Sequence, residues 1–369
     1  MSFIPWEELS LDPVSPPQSI SCAQRWSSVG GLLMVALSSA VFSFSNLFVS
    51  ILSTTAPGVI SPFQIVFIRF LVQGVAGCLC ILLLNRGRLC ERQTWMGRPG
   101  NIPKLVLRGV SGTLSLSCFT LTISSMSLSD ALSIIFLNIP LTAVFARILL
   151  GEEYTWFDAG TGLLGIFGVV LVAQPASLFG SAVGIAQREL SAANVGLGLL
   201  TAFLLSLTFL SIRRIGKDED AFVVTVWFAG VGLVISPIFM AALGPWVNPP
   251  SLTIALLLLG VGVMGFCGQL LLNRGMALSP AGPASAMRYL DLVNALWMQS
   301  LLLGDVPNLL KWFGALLVLS TVFSVVQKSR KRTAPVAAPD AAPKTPALRS
   351  EEADLPLART VEEGAPVKE

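Results

Sequence analysis

The chain has no histidine among its 369 residues. That absence removes Ser-His-Asp and Cys-His nucleophile arrangements, histidine metal sites and histidine proton relays together. Charge is also scarce, at 12% Asp, Glu, Lys and Arg, where soluble domains carry about 25%. The formal net charge is only +3, and the basic residues are dispersed in loops rather than interleaved with aromatics. This argues against a nucleic-acid partner. Six cysteines, Cys22, Cys78, Cys80, Cys90, Cys118 and Cys267, form no CxxC pair. Their expected role is that of small buried hydrophobes, and neither a metal nor a cofactor is expected. The first 27 residues contain Glu7, Glu8 and several prolines and no continuous apolar run. They do not read as a signal peptide, so the first span is expected to act as its own insertion signal.

What the chain does have is apolar sequence, 53% of its residues. Crossing about 30 Å of hydrocarbon takes about 20 apolar residues. Runs of that length fall at 28 to 52, 61 to 84, 105 to 126, 130 to 150, 156 to 174, 193 to 212, 221 to 243, 251 to 272, 284 to 303 and 308 to 327. The expected fold is therefore an all-α integral membrane protein with ten transmembrane helices, joined most tightly at 127 to 129 and 304 to 307.

Lysine and arginine set the expected orientation. Arg86, Arg88, Arg92, Arg98 and Lys104 follow span two, Arg213, Arg214 and Lys217 follow span six, and Arg330, Lys331 and Arg332 follow span ten. The opposite loops hold no lysine or arginine, save Arg188 in the longest. Both termini are thus expected in the cytoplasm, with the plasma membrane and an endomembrane both left open.

The halves repeat. "IIFLNIPLTAVFARILLGEE" (134 to 153) lies on "MRYLDLVNALWMQSLLLGDV" (287 to 306) at an offset of 153, matching Asn138 with Asp291 and Leu150-Gly151-Glu152 with Leu303-Gly304-Asp305. Met126-Ser127-Leu128-Ser129 recurs as Met276-Ala277-Leu278-Ser279. Five spans per copy is an odd number, so the second copy should run through the membrane upside down. Inverted repeats recur in secondary transporters, whose sites lie near the midplane where the halves meet. The expected organisation is a cytoplasmic N-terminal tail (1–27), a first five-helix repeat (28–175), a second (193–327) and a disordered cytoplasmic C-terminal tail (328–369) rich in Ala, Pro, Lys and Glu. Glycines at helix-face spacing, Gly162, Gly165 and Gly168 in span five and Gly262, Gly265 and Gly268 in span eight, are expected to let helices pack closely.

The run "LLGEEYTWFDAGTGLLGIFGVVLVAQP" (149 to 175) resembles the signature of the EamA-type drug/metabolite transporter superfamily. "MSLSDA" (126 to 131), "AGPASAMRYLDLV" (281 to 293) and "GQLLLNRGMAL" (268 to 278) are similar to the G subgroup of solute carrier family 35. The resemblance covers residues 28 to 327. It implies ten helices in two inverted repeats around a central cavity, working by alternating access. The nucleotide-sugar carriers' own motif is not found, which lowers the expectation of such a substrate. Arg69 also has no basic counterpart in "AFVVTVWFAG" (221 to 230), so any site should be asymmetric.

Ionisable groups inside spans cost a few kcal/mol and normally face the bundle interior. Arg69 falls eight residues into span two, about 12 Å deep. Arg288 and Asp291 are three apart in span nine and share a helix face. One reading makes Arg288 and Asp291 a structural ion pair, with Arg69 bonded to carbonyls or snorkelling outward. The other has both arginines gripping an anionic substrate, with Asp291 as charge partner or proton-coupling site. Asn46, Asn138, Gln269, Tyr289, Asn294 and Gln299 could supply orienting hydrogen bonds or serve as interhelical glue. Glu152 and Glu153 are expected to cap and orient, and Arg108 and Arg147 to be positive-inside anchors. The leading expectation is a secondary transporter of a small, polar, anionic metabolite, with that molecule and the lipid bilayer as partners and a homodimer left open. The alternative is a regulatory or scaffolding membrane protein that keeps the fold, with its cavity filled and its arginines paired internally. A membrane-embedded enzyme is poorly supported, because no nucleophile with a base stands in the spans.

Overall fold

Long apolar runs have only one way to satisfy their backbone in lipid, by hydrogen-bonding within the segment. A computed structural model of the chain describes residues 22–55, 58–84, 92–126, 128–179, 191–217, 219–244, 246–302 and 307–332, and among them every regular element is helical. The principal helices are α1 (Cys22–Thr55), α2 (Pro62–Leu84), α3 (Ile102–Ser125), α4 (Leu128–Ile135), α5 (Asn138–Leu150), α6 (Trp156–Ala173), α7 (Ala192–Ile215), α8 (Ala221–Leu243), α9 (Leu252–Leu278), α10 (Ala281–Ala286), α11 (Leu290–Leu302) and α12 (Leu309–Arg332). Nine described helical stretches are long and apolar enough to cross a membrane. Large apolar side chains such as Leu33, Leu79, Leu163, Val234 and Leu316 point outward from them, as lipid contact requires. The molecule is a multi-pass integral membrane protein, helical throughout the regular elements of its described residues.

Two of the expected spans are broken. Span four divides into α4 and α5 at Phe136-Leu137, where Pro140 follows four residues behind Phe136. A proline has no N–H to give to the i−4 carbonyl, and its ring clashes with that carbonyl. Span nine divides into α10, a 3-10 turn at Met287–Tyr289, and α11. The helical path therefore runs through Ala281–Leu302, but not as one regular helix.

Helix starts follow local chemistry. Thr155 and Asp158 form a capping box at α6, and the side chains of Ser191, Asp220 and Ser251 accept the first free N–H groups of α7, α8 and α9. At the other end of α5, Gly151 takes φ 67° and closes the helix. Helix α12 continues through Arg332, past the expected end at 327, and α1 begins at Cys22. The expected N-terminal tail up to residue 21, the arginines of the span two loop at 86 and 88, the loop 180–190 with Arg188, the run 303–306 and the C-terminal tail from 333 lie outside the described residues.

The helices pack in pairs. The most extensive neighbours are α1 with α9, α3 with α7, α6 with α12 and α2 with α8. Glycine permits two close backbone approaches. A methyl group on Gly275 would stand 2.7 Å from the carbonyl oxygen of Gly31, and one on Gly314 would stand 2.8 Å from that of Gly168. Backbone against backbone is how helices gain packing energy in lipid. The largest buried cluster gathers Leu32, Val35, Met276, Met287 and Val318 from α1, α9, α12 and the 3-10 turn.

Candidate functional site

Where the broken helices meet α1, α2, α3, α7, α8 and α9, the packing opens into a cavity of about 240 Å³. The two breaks place side chains at its wall. Asn138 opens α5 and Asp291 is the second residue of α11, and both line the space. Phe42, Phe119, Phe136, Phe209 and Phe228 supply an aromatic lining.

Three arginines and one aspartate reach this cavity: Arg69, Arg108, Arg288 and Asp291. Arg288 and Asp291 form an ion pair, each with about a fifth of its side chain exposed. The guanidinium carbons of Arg69 and Arg288 lie 5.3 Å and 4.9 Å from the centroid of one ring, Phe42. Two cations thus lie against one aromatic ring. The guanidinium carbon of Arg108 lies 4.3 Å from the centroid of another ring, Phe228. With one carboxylate against three guanidiniums, the wall carries a formal excess of two positive charges.

Hydrogen bonding is incomplete where it matters. Arg69 Nε, Arg108 Nε and Nη1, Arg288 Nη1 and Asp291 Oδ1 are buried and have no partner within the protein. An unmatched buried polar atom costs about 1–3 kcal/mol, more for a charged group. Such atoms on a cavity wall are what a polar ligand would complete.

Arg108 is a correction to the sequence reading. It was expected to anchor the cytoplasmic end of span three, yet it is only 1% exposed and lines the cavity. The helix begins at Ile102 rather than near 105, so Arg108 lies six residues in, about 9 Å along the axis. The signal was the spacing of Arg108, Ser111, Gly112 and Ser115, one polar face at i, i+3, i+4 and i+7. Gly112 also leaves the room that the Arg108 head group occupies.

The other predicted residues divide. Asn46, Asn138 and Gln269 line the cavity with Arg69, Arg288 and Asp291, whereas Tyr289 and Asn294 are not among the lining residues. Asn138 Nδ2 donates to the Ile135 carbonyl at 2.6 Å, which leaves its Oδ1 without a partner. Gln269 Nε2 donates to Asn273, and Asn273 Nδ2 to Thr225, tying α9 to α8. Tyr289 is 1% exposed, stacks on Phe136 and donates to the Gly162 carbonyl at 3.4 Å. Its ring fills the room left by Gly165. Asn294 is half-buried, the side chain of Gln299 lies outside the described residues, and Arg147 is exposed. Glu152 accepts from Arg213 Nε at 3.1 Å and from the Ala281 N–H at 2.8 Å, a clasp away from the cavity wall.

The sequence matches the model of the EamA-like transporter family over residues 29–174 and 193–327. It is 30% identical over 301 residues to solute carrier family 35 member G1 of Homo sapiens, covering 81% of this chain and 79% of that protein. It is 27% identical over 290 residues to the pseudopaline exporter CntI of Pseudomonas aeruginosa, covering 78% and 93%. A solved crystal structure at 16% identity aligns with a TM-score of 0.65, covering 81% of this chain and 98% of that one, and shares the fold. The family and these named relatives are transporters, not enzymes. The chain belongs to the EamA-like transporter family of membrane transporters, and within it resembles the G members of solute carrier family 35.

Proposed function

We propose that the chain is a secondary transporter that moves a small anionic metabolite by alternating access. The observation that carries this reading is the cavity wall itself, where Arg69 and Arg108 hold guanidinium nitrogens buried without protein partners. Arginine keeps its charge inside a membrane and can grip a carboxylate or phosphate through two hydrogen bonds.

The proposed architecture is ten transmembrane helices in two inverted five-helix repeats, 28–175 and 193–327, around the central cavity. Three features support it. The family matches twice, once in each half. The break at Phe136-Leu137 falls, at the offset of 153, on Tyr289-Leu290, beside the 3-10 turn of span nine. The helix pairing also maps onto itself when the halves are exchanged, since α1 with α9 becomes α7 with α3. Discontinuous helices in corresponding places of two halves are a pointer to a transporter's binding site. The basic loops support an orientation with both termini in the cytoplasm.

The alternative, a regulatory or scaffolding protein that retains the fold, calls for a filled cavity and arginines paired internally. An open space and unpartnered guanidinium nitrogens weigh against it.

The test is uptake into proteoliposomes of radiolabelled succinate, inorganic phosphate and uridine diphosphate glucose, each alone, with Arg69→Ala and Arg108→Ala as controls. The expected result is uptake of at least one anion, reduced tenfold or more by either substitution. Uptake that neither substitution alters would remove the anion site, and no uptake at all would remove the transporter reading as stated.

A further inference from the structure

An anion that takes hold of Arg288 must compete with the carboxylate already there. Arg288 and Asp291 are paired on one turn of the wall, yet each keeps one buried atom, Arg288 Nη1 and Asp291 Oδ1, without a partner. If the anion draws Arg288 away, Asp291 is left as a buried charge in a low-dielectric site, which costs several kcal/mol. A proton removes that cost. We propose that Asp291 is the proton-coupling residue of the transporter: a proton binds Asp291 as the substrate anion takes Arg288, and leaves when Arg288 returns. This rests on the anion-transporter reading above.

The surroundings leave one carrier for the proton. The chain has no histidine, and Asp291 is the sole acid among the described residues that line the cavity. The other described acids near helix ends are engaged elsewhere, Asp158 with Lys328 and Glu152 with Arg213, while Asp130 is buried off the cavity wall. The groups facing Asp291 are few. Helix α1, its closest-packed neighbour, brings no charged or titratable side chain between Val29 and Thr55. Helix α2 brings Arg69, which shares the Phe42 ring with Arg288, and α3 brings Arg108, which also lines the cavity. The lysines and arginines of α12, Lys311, Lys328 and those from Arg330 onward, stand at its two ends. Tyr289, on the same turn, is turned away to Gly162.

Charge balances through the step. The empty wall holds Arg288 as a cation and Asp291 as an anion. The loaded wall holds Arg288 with one anionic group and a neutral Asp291, so one proton and one negative charge cross together. Loading in this way adds no net charge to the pair of Arg288 and Asp291, the proton cancelling the anionic group that enters.

The experiment uses the full chain in phosphatidylcholine vesicles, with the membrane potential clamped and succinate, phosphate and uridine diphosphate glucose each supplied alone. Two modes are compared: accumulation driven by an inward gradient of one pH unit, and exchange of labelled for unlabelled anion at equal pH. One proton per transported anion, with the membrane potential clamped at zero, gives about tenfold accumulation, since 1.4 kcal/mol is a tenfold ratio. Wild type and Asp291→Glu should accumulate, while Asp291→Asn should exchange without accumulating. Accumulation by Asp291→Asn, or wild-type uptake indifferent to the gradient, overturns the coupling and leaves the transporter intact. Loss of both modes in Asp291→Asn overturns it too, by assigning the residue to binding or folding. No uptake of any of the three anions by wild type fails the transporter reading itself, and the coupling with it.

Discussion

Asn138 and Asp291 stand 153 residues apart in the chain, each just beyond the break in its own helix, and both meet the same cavity. The neighbour three residues earlier is Ile135 in one case and Arg288 in the other, and both of these also line the wall. A shared frame therefore carries a neutral polar group on one side and an ion pair on the other.

Making the two sides alike should weaken anion handling. Asn138→Asp places a second carboxylate on the wall with Ile135 where a partnering arginine would be, and lowers the formal excess of positive charge from two to one. The expected outcome is a rise in KM for anion uptake of about tenfold, the equivalent of about 1.4 kcal/mol. Uptake kinetics in proteoliposomes would show it, and Asn138→Gln should change KM far less.

Arg108 separates stability from function. Two of its nitrogens are buried without partners, so an apolar residue of similar length relieves a penalty of about 1–3 kcal/mol. Arg108→Met should therefore keep or raise the Tm of the detergent-purified protein while uptake falls tenfold or more. Arg108→Lys should not restore uptake, because a single ammonium cannot reproduce the planar fork. A fall in Tm with unaltered uptake would make Arg108 a packing residue.

Gly265 sets the position of Arg69. A methyl group there would stand 2.8 Å from Arg69 Nε and 3.0 Å from Gln73 Nε2, so the guanidinium must shift. Gly265→Ala should cut uptake several-fold with little loss of folded protein. Gly230→Ala is the control, since nothing lies within 4 Å of its added carbon, and it should leave uptake alone.

Gly314 should behave differently, because its neighbours cannot move aside. The added carbon would meet the Gly168 carbonyl at 2.8 Å and the Val172 backbone nitrogen at 2.9 Å. Overpacking of this kind costs about 1–3 kcal/mol. Gly314→Ala should lower the Tm by several degrees in a thermal melt, with the transport kinetics of the surviving protein unchanged.

How much of this could be read in advance depended on the kind of signal. Apolar run length marked the membrane helices, because the bilayer imposes a length that no tertiary contact can override. Arg69, Arg288 and Asp291 stood out because an ionisable group deep in a span is rare. Arg108 did not stand out, since Arg98 and Lys104 precede it closely and it reads as one more loop-side anchor. Only the helix start at Ile102 shows how far inside it lies. The break in span four has a sequence cause in Pro140. The break in span nine has none of that kind, since Val293 holds the matching place, and it became visible only as a 3-10 turn at Met287–Tyr289. Tyr289 offers a hydroxyl in the sequence, but in the fold its ring fills the space beside Gly165 and packs against Phe136.

The pairing of helices bears on how the protein is made. The principal neighbour of α1 is α9, and that of α2 is α8, so during synthesis α1 lacks its principal partner until roughly 200 residues have followed it, and α2 until roughly 140 have. In the meantime α1 must wait in the bilayer with its glycine face unmatched and α2 with Arg69 unmatched, a long-range assembly of the kind that folds slowly. A nascent chain arrested before α8 would therefore be a substrate for membrane quality control. Two separately translated halves, by contrast, would each hold what the other needs.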